Sequence, residues 1–223
     1  MPIIEAQSVV KKYKTGEVET TVLNSVSLSI EKGDFVSVIG KSGAGKSTLL
    51  YVLSGLEPVT SGHVILDGTD LTKLSDKRIS FLRRNNIGFV FQFYNLIESF
   101  TAEDNISFPL ELNGKKKSEI DEKIQPIIEL MGLSKVKDHY PYQMSGGEQQ
   151  RVSIARALAI DPEIIFADEP TGNLDSKTSQ EILNLLKMIN TNFHTTILMV
   201  THDMSAAEIG NRIIKIADGQ IIE

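Results

Sequence analysis

The fold of this protein is decided by one stretch of sequence, Gly40-Lys41-Ser42-Gly43-Ala44-Gly45-Lys46-Ser47. A glycine, four variable positions, a second glycine, a lysine and a serine make up the pattern of a phosphate-binding loop. Glycine lets successive backbone N–H groups turn inward and approach phosphate oxygens closely. An apolar, strand-like run over 35–39 precedes the stretch, and Thr48 begins a helix-forming run. We therefore expect a phosphate-binding loop, with an ordinary glycine-rich connecting turn as the alternative.

Two side chains of this loop carry the expected chemistry. Lys46 should reach the β- and γ-phosphates of a nucleotide, and the Ser47 hydroxyl should ligate Mg²⁺. The helix that starts near Lys46 adds the positive end of its dipole. We expect the segment from Gly40 to Thr48 to bind the nucleotide.

Composition excludes several other classes of protein. The chain has 223 residues, a hydrophobic fraction of 41%, a net charge of −6 and no cysteine. Without cysteine there is neither a disulfide framework nor thiol chemistry. No apolar stretch reaches the roughly 18 residues that a membrane-spanning helix needs. The basic run Lys115-Lys116-Lys117 favours a solvated loop over a nucleic-acid patch, because acidic residues follow it directly, so no nucleic-acid partner is expected.

Alternating strand and helix patterns indicate the α/β class. Short apolar alternations around a polar turn at 15–17 predict strands within residues 1–30. Residues 93–160 are mostly helical, with Pro126 and Pro141 as expected breaks. Apolar strand runs return at 164–167, 196–200 and 213–216, and one amphipathic helix is predicted from Leu174 to Ile189. Near-continuous apolar strands alternating with helices predict a mainly parallel sheet that carries a helical insert.

Two acidic residues, Asp168 and Glu169, end the strand at 164–167. The carboxyl end of a parallel strand lies at the same edge of the sheet as the phosphate-binding loop. Asp168 should hold Mg²⁺ there, through its water shell, and Glu169 should orient or deprotonate an attacking water. Strands often end in acids that only meet solvent, but the phosphate-binding loop earlier in the chain favours the functional interpretation.

A second glycine motif, Ser145-Gly146-Gly147-Glu148, precedes an amphipathic helix over 152–158. Alone it would indicate an ordinary helix cap, and beside the phosphate-binding loop it indicates a second anion-binding helix N-terminus. The segment from Met144 to Arg151 resembles the signature motif of ABC ATP-binding cassettes. Met144, Glu148 and Lys41 depart from the commonest residues of the family without removing a group that the chemistry needs.

The resemblance covers the whole chain, with the motifs in the family's order. Tyr13 is at the position of an aromatic residue that stacks on adenine, and Gln92 resembles the Q-loop glutamine. The segment Gly172-Asn173-Leu174-Asp175 resembles the D-loop. His202 resembles the switch histidine that contacts the γ-phosphate, although a lone histidine would ordinarily be a packed or surface residue.

This resemblance implies the P-loop NTPase fold of ABC ATPases, with a mainly parallel sheet core, an antiparallel β subdomain and a helical subdomain. The chain would be a single ATP-binding domain over residues 1–223. Its RecA-like core and β subdomain would occupy residues 1–92 and 160–223, and its helical subdomain residues 93–159.

The resemblance also implies ligands, partners and roles. Two copies would face head to tail, and each ATP would lie between the phosphate-binding loop of one copy and residues 145–148 of the other. The implied Mg²⁺ ligands are Ser47, Gln92 and Asp168. The residues implied in hydrolysis are Lys46, Gln92, Glu169 and His202. The partner would be a separate transmembrane permease, with or without an extracytoplasmic or accessory protein, at the cytoplasmic face of the cell membrane.

Three further sequence segments resemble one subgroup of the family. The segments 91–96, 100–106 and 166–175 resemble the macrolide-export and lipoprotein-release cassettes (MacB/LolD-like). That subgroup implies export or extraction of peptides, antibiotics or lipoproteins. An ABC ATPase of a non-transport membrane complex, of the cell-division or signalling type, is the first alternative. A soluble DNA-repair or translation ATPase is the second, and the single phosphate-binding loop and short helical insert disfavour it.

Overall fold

The computed structural model describes residues 2–222. The strands in chain order are β1 (Pro2–Thr15), β2 (Val18–Glu31), β3 (Phe35–Ile39), β4 (Ser61–Leu66), β5 (Thr69–Asp70), β6 (Ile87–Phe91), β7 (Ile164–Asp168), β8 (Thr196–Thr201), β9 (Arg212–Ala217) and β10 (Gln220–Ile221). The helices are α1 (Lys46–Leu53), α2 (Asp76–Asn86), α3 (Ala102–Leu112), α4 (Lys117–Leu130), α5 (Gly146–Leu158), α6 (Ser176–Phe193) and α7 (Met204–Ala207). Short 3₁₀ turns occur at Leu71–Lys73 and Pro141–Gln143.

The strands form two sheets of different character. A four-stranded antiparallel sheet has the order β2-β1-β4-β5. A six-stranded sheet has the order β10-β9-β3-β8-β7-β6, in which β9, β3, β8, β7 and β6 run parallel and β10 is antiparallel to β9. Strands β7 and β8 are buried along their whole length, as strands covered on both faces should be.

The core lies on both faces of the six-stranded sheet. On β7, Ile165 and Ala167 pack against the helical side, whereas Ile164 and Phe166 pack against α1 and the antiparallel sheet. Strand β8 repeats this alternation. Because successive side chains of a strand point to opposite faces, one short apolar run contributes to both parts of the core.

The region between β6 and β7 is helical and packs on one face of the sheet. Helix α5 contacts β6 and also α3 and α6. Helix α3 begins with a capping box, in which Thr101 and Asp104 satisfy each other's backbone N–H groups. Helix α4 contributes buried isoleucines, among them Ile120, Ile124 and Ile128.

The structure confirms the predicted fold class, with its mainly parallel sheet and separate antiparallel sheet, and the ranges of most elements. Pro126 is a correction, because it lies inside α4 instead of ending a helix. A proline inside a helix loses one backbone hydrogen bond, and here the buried isoleucine face holds the helix together across it.

Two helix boundaries and one whole helix also differ from the sequence-based expectations. Leu174 lies outside α6, because Asp175 caps that helix by accepting from the backbone N–H groups of Lys177 and Thr178. Helix α5 begins at Gly146, so its glycines belong to the first turn. Helix α2 was not predicted; none of its residues is fully buried, so its sequence lacks a strong apolar stripe. No helix within residues 2–222 is long and apolar enough to cross a membrane.

Candidate functional site

Four of the predicted site elements collect at one edge of the six-stranded sheet. The phosphate-binding loop follows β3, Gln92 follows β6, Asp168 ends β7 and His202 follows β8. These strands are parallel and in register, with Ile39 opposite Thr201 and Phe91 opposite Asp168. Their carboxyl ends therefore lie side by side, which is where open α/β sheets bind their ligands.

The phosphate-binding loop needs glycine for two separate reasons. Gly43 and Gly45 have φ values of +80° and +99°, a region that other residues rarely adopt. Gly40 has no room for a side chain, because a Cβ there would lie 2.3 Å from the carbonyl oxygen of Ile216. Within the loop, Lys41, Ser42 and Gly43 are exposed, whereas Ala44 and Gly45 are buried. The loop is thus anchored at its base and open at its rim.

Lys46 is held inside this loop. Its side chain is largely buried, and its Nζ donates to the carbonyl oxygens of Gly40 at 2.9 Å and Lys41 at 3.2 Å. An ammonium group has three N–H donors. Two donors orient the group against the loop, and the third can meet a phosphate oxygen.

Ser47 and Asp168 meet across the sheet edge. Ser47 Oγ donates to Asp168 Oδ1 at 2.9 Å, although the two residues are 121 positions apart. The second carboxylate oxygen, Oδ2, accepts from Tyr51 Oη at 2.7 Å. A hydroxyl and a single carboxylate fit Mg²⁺, which binds oxygen and takes one or two carboxylates together with phosphates and waters. Residues 2–222 contain no cluster of three or more histidine, cysteine or acidic side chains that could hold a metal ion.

Glu169 and His202 form a second pair beside it. Glu169 Oε2 lies 3.0 Å from His202 Nδ1 and also accepts from the His202 backbone N–H at 3.3 Å. Glu169 has a φ of +47°, and its own N–H donates to Val200 O. Glu169 thus has a left-handed backbone immediately after β7, and the His202 imidazole stays exposed. The sequence predicted both residues, but not their contact.

Gln92 has a different partner from the one the family resemblance implies. Its Nε2 donates to Asn173 Oδ1 at 3.2 Å, and Asn173 Nδ2 donates to Gln92 O at 3.0 Å. A Cβ at Gly172 would lie 2.8 Å from Gln92 Nε2, so a larger residue there would displace the Gln92 side chain. Within residues 2–222 the Gln92 side chain therefore pairs with the segment that resembles a D-loop, and its role as a Mg²⁺ ligand stays a prediction.

Tyr13 lies next to the helix that follows the phosphate-binding loop. Its hydroxyl bonds to Glu57, and Lys11 Nζ sits 4.9 Å from the centre of its ring. Burial, the Glu57 bond and its charge raise the pKa of Tyr13, whereas hydrogen bonding with Thr48 lowers it. Thr48 is half-buried, and Tyr13 is partly exposed at the rim of the site.

The second glycine motif begins α5 with a capping box. Ser145 Oγ accepts from the Glu148 N–H, and Glu148 Oε2 accepts from the Ser145 N–H and hydroxyl. The Ser145 hydroxyl hydrogen bond, followed by its N–H bond, lowers the pKa of Glu148. A Cβ at Gly147 would lie 2.6 Å from Thr178 Cγ2, so this turn is tightly packed. The motif is thus built separately from the phosphate-binding loop of the same chain.

Two residues of α5 that sequence reasoning missed tie this helix to the segment around Gln92. Gln150 is fully buried, and its Nε2 donates to the carbonyl oxygens of Phe91 and Pro170. The Arg156 guanidinium donates to Tyr94 O and Asn95 O, and burial lowers its pKa to about 10. Nothing in the sequence signalled these contacts beyond a glutamine and an arginine on the helix, because their partners are backbone groups far away in the chain.

These features define a nucleotide-binding protein of the P-loop class that carries a second, glycine-capped helix. The family model described as ABC transporter matches residues 23–172. The lipoprotein-releasing system ATP-binding protein LolD of Blochmanniella floridana is 42% identical over 220 residues, which cover 99% of this chain and 94% of that protein. The methionine import ATP-binding protein MetN of Photobacterium profundum is 46% identical over 222 residues, which cover 99% of this chain and 64% of that protein.

This chain is also similar to a protein of known structure. The ATP-binding cassette MJ0796, in a dimeric post-hydrolysis state bound to ADP and phosphate, matches with a TM-score of 0.91 and 41% identity, covering 99% of this chain and 97% of that one.

The chain belongs to the ABC transporter family. It is an ATP-hydrolysing, ATP-binding subunit of that family, which confirms the prediction from the sequence. The resemblance to the lipoprotein-release group is also confirmed, but a methionine importer is as similar. The similarity alone therefore does not separate export from import.

Proposed function

We propose that this chain hydrolyses ATP as one half of a homodimer and thereby drives a separate membrane-spanning permease. The observation that carries the proposal is the meeting of three groups at one sheet edge: the phosphate-binding loop, the Ser47–Asp168 pair and the Glu169–His202 pair. Each group supplies one requirement of phosphoryl transfer to water, namely phosphate binding, a cation site and a positioned base.

Nucleotide binding falls to the loop and its surroundings. The backbone N–H groups of residues 40–48, together with the dipole of α1, would bind the phosphates, and Lys46 would place its third N–H on a phosphate oxygen. Tyr13, at the rim beside Thr48, would stack on the adenine ring.

Ser47 and Asp168 would hold Mg²⁺, and Gln92 would join them after releasing Asn173. The bound Mg²⁺ would neutralise charge that develops on the phosphate oxygens. Asp168 is largely buried, and its two oxygens already accept one hydrogen bond each. The carboxylate is therefore oriented before the cation arrives.

Glu169 and His202 would act on the attacking water. Because Glu169 Oε2 accepts from His202, its other oxygen, Oε1, is left to accept a proton from water. His202 would hold the carboxylate in place and contact the γ-phosphate through the other nitrogen of its ring. Lys46 would stabilise the charge on the transferred phosphoryl group.

The second glycine motif would act on the partner copy. Ser145, Gly146, Gly147 and Glu148 would close over the ATP bound to the other chain, and the dimeric MJ0796 cassette supports this arrangement. Within one chain, residues 93–159 would form a helical subdomain that carries this motif, and residues 1–92 and 160–223 would form the core and β subdomain that bind ATP.

The membrane partner and the transported molecule extend the proposal further. The resemblance of segments 91–96, 100–106 and 166–175 to the macrolide-export and lipoprotein-release cassettes favours export or extraction of a peptide, antibiotic or lipoprotein. The chain would sit at the cytoplasmic face of the membrane, where ATP is available, bound to its permease. An ABC ATPase of a cell-division or signalling complex is the alternative, and the architecture of the membrane partner would decide between the two.

A first experiment tests the site and the dimer. Glu169→Gln should lower ATP turnover by about 10²- to 10⁴-fold, as loss of a general base does, while leaving ATP binding intact. Light scattering should then detect a dimer in ATP and Mg²⁺, against a monomer of 24.6 kDa without nucleotide. Glu163→Gln, which changes an exposed glutamate immediately before β7, is the control and should turn over normally.

A second variant separates the two halves of the proposal. Ser145→Arg added to Glu169→Gln should bind ATP and remain a monomer, because the bulky cation blocks the contact with the partner copy. A dimer in that double variant would refute the role of residues 145–148, and normal turnover in Glu169→Gln would refute the role of Glu169. Purification of the trapped dimer from detergent-solubilised membranes should recover a multi-helix membrane protein.

A further inference from the structure

We propose that Tyr51 is a positioning residue for Mg²⁺, which it orients indirectly by holding one oxygen of Asp168. This inference rests on the proposed function, since it assumes that Ser47 and Asp168 bind the cation. Tyr51 lies in α1 outside the glycine-rich loop, and neither its sequence position nor its residue type suggested a role at the site.

The geometry divides the Asp168 carboxylate between two hydroxyl groups. Ser47 and Tyr51 are four residues apart on α1 and therefore lie on the same face of the helix. Ser47 Oγ bonds to Oδ1 at 2.9 Å, and Tyr51 Oη bonds to Oδ2 at 2.7 Å. The helix thus presents two donors at the spacing of the two carboxylate oxygens.

The direction of the Tyr51 hydrogen bond follows from the chemistry of its partner. An ionised carboxylate only accepts, so the phenol donates. The hydrogen of this bond therefore belongs to the Tyr51 hydroxyl, and Asp168 Oδ2 supplies the lone pair that accepts it.

This bond decides which carboxylate oxygen is available to the cation. With Oδ2 held by Tyr51, Oδ1 is the oxygen on the side of Ser47, the other expected ligand. Removing the phenol hydroxyl would leave a largely buried acceptor without its donor and would free the carboxylate to rotate about its terminal bond. Partners that orient a metal ligand typically change metal affinity by about 10- to 100-fold.

Tyr51→Phe tests this role, because it removes one oxygen atom and keeps the ring that packs against the core beneath α1. Binding of a fluorescent, non-hydrolysable ATP analogue is measured in EDTA and then during titration with Mg²⁺. Affinity in EDTA should change by less than about two-fold, whereas the Mg²⁺ concentration for half-maximal response should rise by about ten-fold or more. Tyr142→Phe removes the hydroxyl of an exposed tyrosine and should behave like wild type.

Further measurements separate positioning from a general loss of stability. A merely structural defect would weaken binding equally with and without Mg²⁺ and would lower the unfolding midpoint of the nucleotide-free protein in proportion. Incorporation of para-aminophenylalanine at position 51, which keeps the ring and places an N–H donor where the hydroxyl was, should recover part of the Mg²⁺ response. Recovery would also support the inference if the phenylalanine variant folded poorly.

Two results would overturn the inference, and they are distinguishable. If wild type depends on Mg²⁺ and Tyr51→Phe has the same half-maximal concentration, the role of Tyr51 is wrong and the cation site stands. If wild type binds the analogue with no dependence on Mg²⁺, the assignment of Ser47 and Asp168 fails as well.

Discussion

Gly219 joins the closing hairpin to the phosphate-binding loop, and its replacement gives a quantitative test of the structure. It lies in the turn between β9 and β10 with a φ of +73°. Its N–H donates to Ala44 O at 3.2 Å, and its carbonyl accepts from Asn24 N–H at 2.8 Å. A Cβ at this position would lie 2.3 Å from the carbonyl oxygen of Val22, a backbone atom that has little freedom to move.

Gly68 provides a matched control for the Gly219→Ala variant. It also has a φ of +73°, but a Cβ there would have nothing within 4 Å. Both substitutions incur the cost of a left-handed backbone, roughly 1–2 kcal/mol. Only Gly219→Ala adds the cost of overpacking, typically about 1–3 kcal/mol. We therefore expect Gly219→Ala to lower the free energy of unfolding by about 1–3 kcal/mol more than Gly68→Ala.

Urea unfolding of the nucleotide-free protein is the appropriate assay. The midpoints of two variants are compared only if the free energy of unfolding falls with urea concentration at the same slope in both. In a chain of this size each kcal/mol should also lower the melting temperature by roughly 2–4 °C. Gly219→Ala should weaken ATP binding too, because the hydrogen bond to Ala44 anchors the loop, whereas Gly68→Ala should not. Equal free energies of unfolding for the two variants would refute the contact with Val22.

Three other variants probe α5. Gln150→Leu should destabilise the protein by about 1–3 kcal/mol in urea unfolding, because it leaves backbone carbonyl groups without their buried donor; an unchanged midpoint would contradict this. Arg156→Lys should lower the free energy of unfolding by a similar amount, about 1–3 kcal/mol, because one ammonium group replaces the guanidinium that donates to two consecutive carbonyl groups. An unchanged free energy of unfolding would show that the guanidinium is not needed. The pKa of Glu148 is lowered in the fold, chiefly by Ser145, so its ionised form adds stability above its ordinary pKa that is lost as pH falls through the lowered value. The free energy of unfolding of Glu148→Gln should therefore fall less than that of wild type between about pH 6 and about pH 3. An equal fall in the two proteins would refute this contribution of Glu148.

Local sequence patterns were sufficient where they determine backbone conformation directly. The glycines and lysine of residues 40–47 predicted the loop between β3 and α1, and its left-handed glycines are where the motif requires them. The apolar runs predicted β7 and β8 because strands covered on both faces need little else than continuous apolar character.

Local patterns failed where packing outweighs intrinsic preference. Pro126 is a helix breaker by itself, yet α4 continues through it because its isoleucines are buried against the rest of the helical region. Helix α2 escaped prediction for the opposite reason, since its residues are at most partly buried and its pattern is mostly polar.

The sequence by itself determined the class of protein, the chemistry of its phosphate-binding loop and the residue types available for hydrolysis. Those properties depend on neighbours within a few positions, so they can be recognised without a structure. Only the tertiary structure decided which groups meet: Tyr51 with Asp168, Glu169 with His202, and Gln150 with the backbone on either side of the site. Such contacts join residues tens of positions apart, and they exist because parallel strands bring their carboxyl ends to one edge while packing fixes the side chains there.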